Sequence, residues 1–207
     1  DLYPGVYLLP DTKRVYPYSS LAAQVIGWVN VNDGNRGAYG IEAKFEEELA
    51  GEPGRVVTAK NAAGTEMLSS YENYIDAQPG LNPHLTIDAT IQSYCERTLE
   101  EGISSYEVRK GGFCIAMNPK TGAVLAMASS PDYDLNDPST VIDSVLQQNL
   151  AELQEDESVS EEEYAAALSQ AQFQQWSNKC LNTEYEPGST FKPFVMASAL
   201  QERKINR

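Results

Sequence analysis

The sequence predicts an α+β fold, and three observations carry that prediction. The first 80 residues of the 207 are turn-rich and mix short helical and extended patterns, up to the linker-like "AQPGLNP" at 77 to 83. A nearly continuous apolar hairpin, "GGFCIAMNPKTGAVLAMASSP" (111 to 131), follows a segment of helical period. From residue 139 onward the chain is almost wholly of helical period. Helices and an apolar hairpin in separate runs are the signature of segregated α and β elements around a common core.

In order, "RVYPYSSLAAQVIG" (14 to 27) predicts an extended entry and a short apolar helix from about Ser20 to Ile26, stopped by Gly27. "VNDGNRGAYG" (31 to 40) is a loop, with three glycines and an Asp-Gly pair. "IEAKFEEELAG" (41 to 51) places Ile41, Phe45 and Leu49 on one helical face with Gly51 just past its end. "RVVTAKN" (55 to 61) follows a Pro53-Gly54 turn and reads as a strand. The boundary between two domains, 1–80 and 81–207, is placed at the linker. Asp88 is positioned to cap a helix over 85 to 106 whose Ile91, Tyr94, Cys95, Thr98 and Leu99 form one stripe. The hairpin turns about Asn118 to Gly122, and its two apolar arms predict a place central in a sheet, covered on both faces. Two helices are expected across 139 to 176: one capped by Ser139, and a second with a Ser160/Glu163 capping box ending near Trp176.

Composition removes several function classes. With 30 acidic and 15 basic residues the net charge is -15, and no Lys/Arg cluster supplies the basic footprint a duplex binder needs. The same charge disfavours anionic membrane surfaces. No run approaches the ~20 apolar residues of a membrane span, and no zinc or phosphate-loop spacing occurs. The acidic run "EDESVSEEE" reads as a solvated loop and helix start rather than a metal site. Cys95, Cys114 and Cys180 form no disulfide framework and read as small buried apolar residues. No cofactor or metal is expected. The absent initial Met and the abrupt Asp1-Leu2-Tyr3 start suggest a fragment.

Chemistry concentrates in "EYEPGSTFKPF" (184 to 194). Pro187-Gly188 ends an extended stretch, and Phe191, Phe194, Val195, Ala199 and Leu200 then recur at helical spacing. Pro193 falls in the first turn, where a missing N–H costs little. Ser189 therefore stands at the helix N-terminus with Lys192 one turn on, on the same face. The positive end of the helix favours an alkoxide and a nearby oxyanion. Burial of the lysine among Phe191, Phe194 and Met196 would make it a usable base, and the i, i+3 spacing holds it near the hydroxyl. Taken alone, Ser-x-x-Lys is also what an N-cap serine beside a surface lysine looks like. His84, the one histidine, lies in the linker and is rejected as a base because Ser189 has a closer candidate.

"YEPGSTFKP" (185 to 193) resembles the first active-site motif of class B penicillin-binding proteins, the D,D-transpeptidases of the cell wall. "RVYP" (14 to 17) and "GNRGAYGIEAKFEEELAGEPG" (34 to 54) resemble that family's non-catalytic pedestal/dimerisation module. "LTIDATIQ" (85 to 92) and "NPKTGAVLAMASSPDYDLN" (118 to 136) resemble the opening helix and first hairpin of its transpeptidase domain. The resemblance runs through nearly the whole chain in the family's order. It implies a partial pedestal module followed by an incomplete penicillin-binding domain of the β-lactamase-like type. Ser189 is then the nucleophile, acylated by the penultimate D-Ala of a peptidoglycan stem peptide and by β-lactams. Lys192 is the base, and the Ser189 N–H is half of the oxyanion hole. Arg14 and Glu42 match charged positions of the first module and are expected to pair.

The departures matter as well. The second serine motif and the Lys-Thr-Gly motif of the family lie downstream of the nucleophile. The only Lys-Thr-Gly here, Lys120 to Gly122, precedes Ser189 in a hairpin turn and is read as a decoy. Ser19 stands where the family often has glycine. The resemblance implies a parent anchored in the bacterial membrane by an upstream helix, acting on its extracytoplasmic face, with other cell-wall synthesis proteins as partners. The fragment by itself is expected to be inactive. A non-catalytic scaffold that docks partners of the wall machinery is the rival reading. A β-lactam-hydrolysing or β-lactam-sensing protein is disfavoured by the Gly-rich module.

Overall fold

The computed structural model describes residues 13–58, 72–108, 110–156 and 158–205. The short helix α1 (Ala23–Ile26) leads to a two-stranded ribbon, β1 (Val29–Asn30) with β2 (Arg36–Gly37). Two one-turn helices follow, α2 (Gly40–Lys44) and α3 (Glu46–Ala50), and then an antiparallel pair, β3 (Arg55–Thr58) with β4 (Glu72–Ile75). The rest comprises α4 (Ala89–Ser105), a hairpin of β5 (Gly112–Met117) and β6 (Val124–Ser130), α5 (Ser144–Glu155), α6 (Glu161–Trp176), α7 (Lys179–Asn182) and α8 (Lys192–Gln201). Helices and antiparallel strands are segregated, as an α+β fold requires.

Several local expectations hold at the level of single hydrogen bonds. The Asp88 carboxylate accepts from the N–H groups of Thr90 and Ile91. Ser160 and Glu163 form a reciprocal capping box, and α6 ends at Trp176. Asn118 organises the hairpin turn through Lys120 N–H and Gly122 N–H. The guanidinium of Arg14 donates to the buried Glu42 carboxylate at 2.7 Å, so the expected pair forms. The Tyr16 hydroxyl also donates to Glu42, and burial beside that carboxylate pushes the phenol up to about 12. Burial opposes the charge on Arg14, but the Glu42 bond and charge outweigh it and hold the guanidinium above its ordinary value.

Other elements depart from expectation. The helix over 41 to 51 is broken at Phe45, whose φ of -113° and ψ of 27° leave the helical region. The helix assigned to a Ser139 cap begins five residues later, with Asp143 accepting from Leu146 N–H at 2.8 Å. Residues 140 to 142 cannot join it because Gln175 binds the Thr140 carbonyl and the Ile142 N–H. The α1 helix starts at Ala23 rather than near Ser20, because Ser19 and Ala22 have positive φ. Its stop at Gly27 is as expected. Gly27 has φ +75° and lies so close to the Tyr39 carbonyl that a Cβ would overlap it. The strand at 55 to 61 is seen through Thr58, and its predicted end lies outside the described residues.

The stripe on α4 is rotated from the one predicted. Tyr94 and Thr98 are exposed, while Gln92 is fully buried, with Cys95, Glu96, Leu99 and Ile103 partly so. Gln92 is buried because it acts as a strand. Its Oε1 accepts from Met127 N–H at 2.7 Å and its Nε2 donates to the Met127 carbonyl at 3.0 Å. The linker helps, with Asp88 N–H donating to the Leu125 carbonyl and the Thr86 hydroxyl to that of Val124. The outer edge of β6 is thus closed by side chains and linker. Met127 spends both backbone groups on Gln92, so Ile115, its partner in register, points its own away from β6. The hairpin is therefore a two-stranded sheet and not the centre of a larger one among the described residues. α4 covers one face. The other is only partly covered by α7, leaving Ile115 and Met117 44% and 55% exposed.

The main core joins the two ends of the sequence. Tyr16 and Ala23 pack with Tyr133 and Leu135, flanked by Ile26, Trp28 and Trp176. Rings of Trp28, Tyr39, Phe173 and Trp176 extend it, with Trp28 and Tyr39 stacked at 5.9 Å and Tyr39 and Trp176 at 5.0 Å. A second cluster of Val141, Leu150 and Ala171 holds α5 to α6.

Two outcomes follow. Gln92→Leu keeps the volume but strands the Met127 N–H and carbonyl, so urea unfolding should show a loss of roughly 2–4 kcal/mol. Burial pushes Glu96 and Asp132 above the ordinary carboxylate range; hydrogen bonds from Gln92 and Ala22 pull Glu96 partly back, as one from Ser20 does Asp132. A raised folded value means that the native state holds these protons more tightly than the unfolded one. The contribution of Glu96 to stability should therefore rise as pH falls from neutral through its raised value. Glu96→Gln keeps both accepted hydrogen bonds without the charge. The difference in urea midpoint between wild type and variant should shrink between pH 7.5 and pH 5.

Candidate active site

Ser189 occupies a 3-10 turn, Gly188–Phe191, that runs directly into α8 at Lys192. The turn closes by a bond from Lys192 N–H to the Ser189 carbonyl, and Pro193 sits in the first turn of α8 as expected. Gly188 takes φ +55°, a left-handed value that turns the extended segment into the helix. The sequence thus places the serine and lysine one turn apart at the head of a helix, and the structure has them there.

The surroundings differ from expectation. Phe191, Phe194 and Met196 are 53%, 67% and 55% exposed, and only Ala199 of α8 is better than exposed. Lys192 is exposed too. The desolvation that would make the lysine a base is therefore absent, because no described element covers the apolar side of α8. Phe191 and Phe194 stack on each other at 5.7 Å instead. Among the described residues no hydrogen bond joins the Ser189 hydroxyl to the Lys192 ammonium.

Two contacts hold the segment before Ser189 to the hairpin, and neither was foreseen. Tyr185 meets the edge of Phe113 at 5.6 Å between ring centres. Lys179, at the start of α7, donates its Nζ to the carbonyls of Lys110 and Ser130, both at 2.7 Å, and its N–H to the Ser129 hydroxyl. Burial lowers the Lys179 ammonium below its ordinary value, partly offset by Asp143. Tyr185 was visible as an aromatic residue in the extended lead-in. What it packs on lies 72 residues earlier, beyond any local pattern.

The decoy reading of Lys120 to Gly122 fits its place, since all three lie in the β5–β6 turn and are exposed. His84 lies exposed in the linker. Residues 77 to 81 of that linker are tied to α3, with Glu52 and Gln78 exchanging backbone bonds at 2.9 Å and Leu81 N–H reaching the Glu48 carbonyl. Among the described residues no helix is long and apolar enough to cross a membrane.

Two family descriptions match the chain: "Penicillin-binding Protein dimerisation domain" over residues 1–85, and "Penicillin binding protein transpeptidase domain" over 112–207. Stage V sporulation protein D of Bacillus subtilis is 34% identical over 98% of this chain and 26% of its own length. Peptidoglycan D,D-transpeptidase FtsI of Escherichia coli K12 is 30% identical over 96% of this chain and 28% of its own. The chain thus spans about a quarter of the length of these curated relatives. Among solved structures, a complex between a penicillin-binding protein (PBP2) and MreC from Helicobacter pylori is similar, with a TM-score of 0.64 and 25% identity. The likeness covers 99% of this chain and 36% of that one.

The Tyr185–Phe113 contact can be tested by proteolysis. Phe113→Ala should speed cleavage by a glutamyl endopeptidase after Glu184 and Glu186 by about 2- to 10-fold, the equivalent of the ~0.5–1.5 kcal/mol of an aromatic pair. Sites on α4 should be unchanged.

Proposed function

The chain belongs to the penicillin-binding proteins that join a dimerisation domain to a transpeptidase domain, and we propose that Ser189 is the nucleophile of a peptidoglycan D,D-transpeptidase. The observation that carries this is the position of Ser189 within the transpeptidase match, in a turn that feeds a helix beginning with Lys192. Lys192 takes the Ser189 proton as the hydroxyl attacks the carbonyl of a penultimate D-Ala. The amide bond breaks, the terminal D-Ala leaves with that proton, and a serine ester remains. The amine of a second stem peptide then displaces Ser189 and completes the cross-link. A β-lactam enters the same way, but its ring opens without losing a fragment, so the ester persists.

The reading includes a boundary at residue 80, with residues 1–80 as the pedestal and 81–207 as the first part of the catalytic domain. The whole protein acts outside the cytoplasmic membrane, on stem peptides ending in D-Ala-D-Ala, and is anchored by a membrane helix. In that protein further elements cover α8 and desolvate Lys192. Uncovered, the chain by itself is not acylated. A second role, docking other wall-synthesis proteins, is favoured by one observation: the H. pylori relative of similar fold is seen in complex with MreC.

Intact mass after incubation with benzylpenicillin tests the assignment. The full-length protein should gain one penicillin mass and Ser189→Ala none. Lys192→Ala should acylate slower by about 10²–10⁴-fold, the usual contribution of a positioned base. The 207-residue chain should stay unmodified. An adduct retained in Ser189→Ala would remove the nucleophile assignment. An adduct on the isolated chain would remove the requirement for a cover over α8.

A further inference from the structure

The polypeptide leading to Ser189 is seated on the hairpin before it turns into α8, and Lys179 makes the seat. β5 and β6 end together at the Gly112–Ser130 pair. Across this open end the Lys179 ammonium donates to the carbonyl of Lys110, just ahead of β5, and to that of Ser130, the last residue of β6, both at 2.7 Å. Gly111 makes room for it. Its φ of +68° is a left-handed value that favours glycine, and a Cβ there would lie 2.6 Å from the Lys179 Nζ.

The backbone at Lys179 is fixed as well. Its N–H donates to the buried Ser129 hydroxyl at 3.0 Å, and that hydroxyl donates to Asn178 Oδ1 at 3.5 Å. Asn178, itself buried, uses the same oxygen to cap α7 through the Cys180 N–H. Six residues after Lys179, Tyr185 rests on Phe113, three residues after Lys110. The stretch 179 to 185 is therefore held at both ends by one short run of the hairpin, and Ser189 follows four residues later.

The two holds differ in kind. A tilted ring pair such as Tyr185 and Phe113 tolerates sliding, since several aromatic arrangements are close in energy. The ammonium is a charged donor shared between two carbonyls at the ends of paired strands, and moving it weakens both bonds in a partly buried place. With two of its three N–H groups spent on carbonyls, Lys179 is no candidate for the base.

We infer that Lys179 is a positioning residue for acylation, given Ser189 as the nucleophile proposed above. It pins the start of the Ser189 lead-in to the open end of the hairpin, and so sets where the hydroxyl stands against a bound carbonyl. Misplacement by ~1 Å, caused far from the chemistry, costs on the order of 10²-fold in rate. Loss of the ammonium therefore acts on the chemical step, while reversible capture of the β-lactam stays as it was.

The test uses the full-length protein and benzylpenicillin. Adduct formation followed by intact mass across penicillin concentrations separates the acylation constant at saturation from the dissociation constant of the reversible complex. Peptide mapping locates the adduct. Lys179→Met, similar in length but without a donor, should lower the acylation constant by roughly 10- to 100-fold and leave the dissociation constant within about 2-fold. Lys179→Arg, which can donate to both carbonyls, should restore most of the loss. Leu150→Ala loosens the α5–α6 cluster and should lower the unfolding midpoint yet acylate as wild type does. Lys179→Gln keeps two N–H donors on a shorter, neutral side chain and should fall between wild type and Lys179→Met. It carries the test if Lys179→Met does not fold. A wild-type acylation constant in Lys179→Met, or in Lys179→Gln standing in for it, overturns the inference. So does a loss confined to the dissociation constant, one that Lys179→Arg leaves unrepaired, or one that Leu150→Ala matches. In each of those cases an adduct still mapped to Ser189 leaves the nucleophile standing, whereas an adduct mapped elsewhere removes both readings.

Discussion

A buried helix of four residues cannot satisfy its own backbone, and much of this structure is arranged around that fact. α1 is closed at its C-terminal end only by Gly27 N–H on the Ala23 carbonyl. Glu96, from α4, accepts the Ala22 N–H at 2.7 Å, and the buried Tyr133 hydroxyl donates to the Ala23 carbonyl at 3.0 Å. Gln24 reaches out from the helix to the carbonyls of Pro131 and Gln175. The partners come from three later places, so one turn of helix brings α4, the segment after the hairpin and α6 together. The aromatic rings of Trp28, Tyr39, Phe173 and Trp176 then close over a geometry these bonds have set.

The same rule, that a buried polar group must have a partner, explains why the hairpin is lopsided. Gln92 gives Met127 what a neighbouring strand would give and leaves β6 no free edge on that side. β5 has no such guard: Ile115 points its backbone groups outward, and its side chain and that of Met117 are exposed. The bare side of α8 is of the same kind. Together they mark where the described residues stop supplying cover, and the turn bearing Ser189 lies on that side of the molecule's organisation, attached through Tyr185 and Lys179.

Much of this was legible because it is local. The Asp88 cap, the Ser160/Glu163 box, the Asn118 turn and the Ser189 turn ahead of Pro193 are each decided within a few residues by hydrogen bonds the chain makes with itself. Arg14 and Glu42 were legible only through family resemblance, since nothing local links them. What stayed hidden needed a distant partner. Gln92 reads as a polar interruption of an apolar stripe until the edge of β6 is placed beside it. Asp143 outcompetes Ser139 as a cap because Gln175, more than thirty residues on, has already taken the backbone between them. The burial expected for Lys192 followed from the apolarity of its neighbours, but apolarity states a need for cover and not its presence.

The shared core also imposes an order of events on synthesis. Tyr16 exchanges hydrogen bonds with Asn136, 120 residues later, and the Gln24 side chain donates to the Gln175 carbonyl, 151 residues later. At ~5–20 residues per second, the early segment waits roughly 8–30 s at the ribosome before its last partner has been made. For that interval Tyr16, Ala23 and Ile26 lack Tyr133, Leu135 and Trp176, against which they pack, and whatever shields nascent apolar surface in the cell has its longest task with this segment.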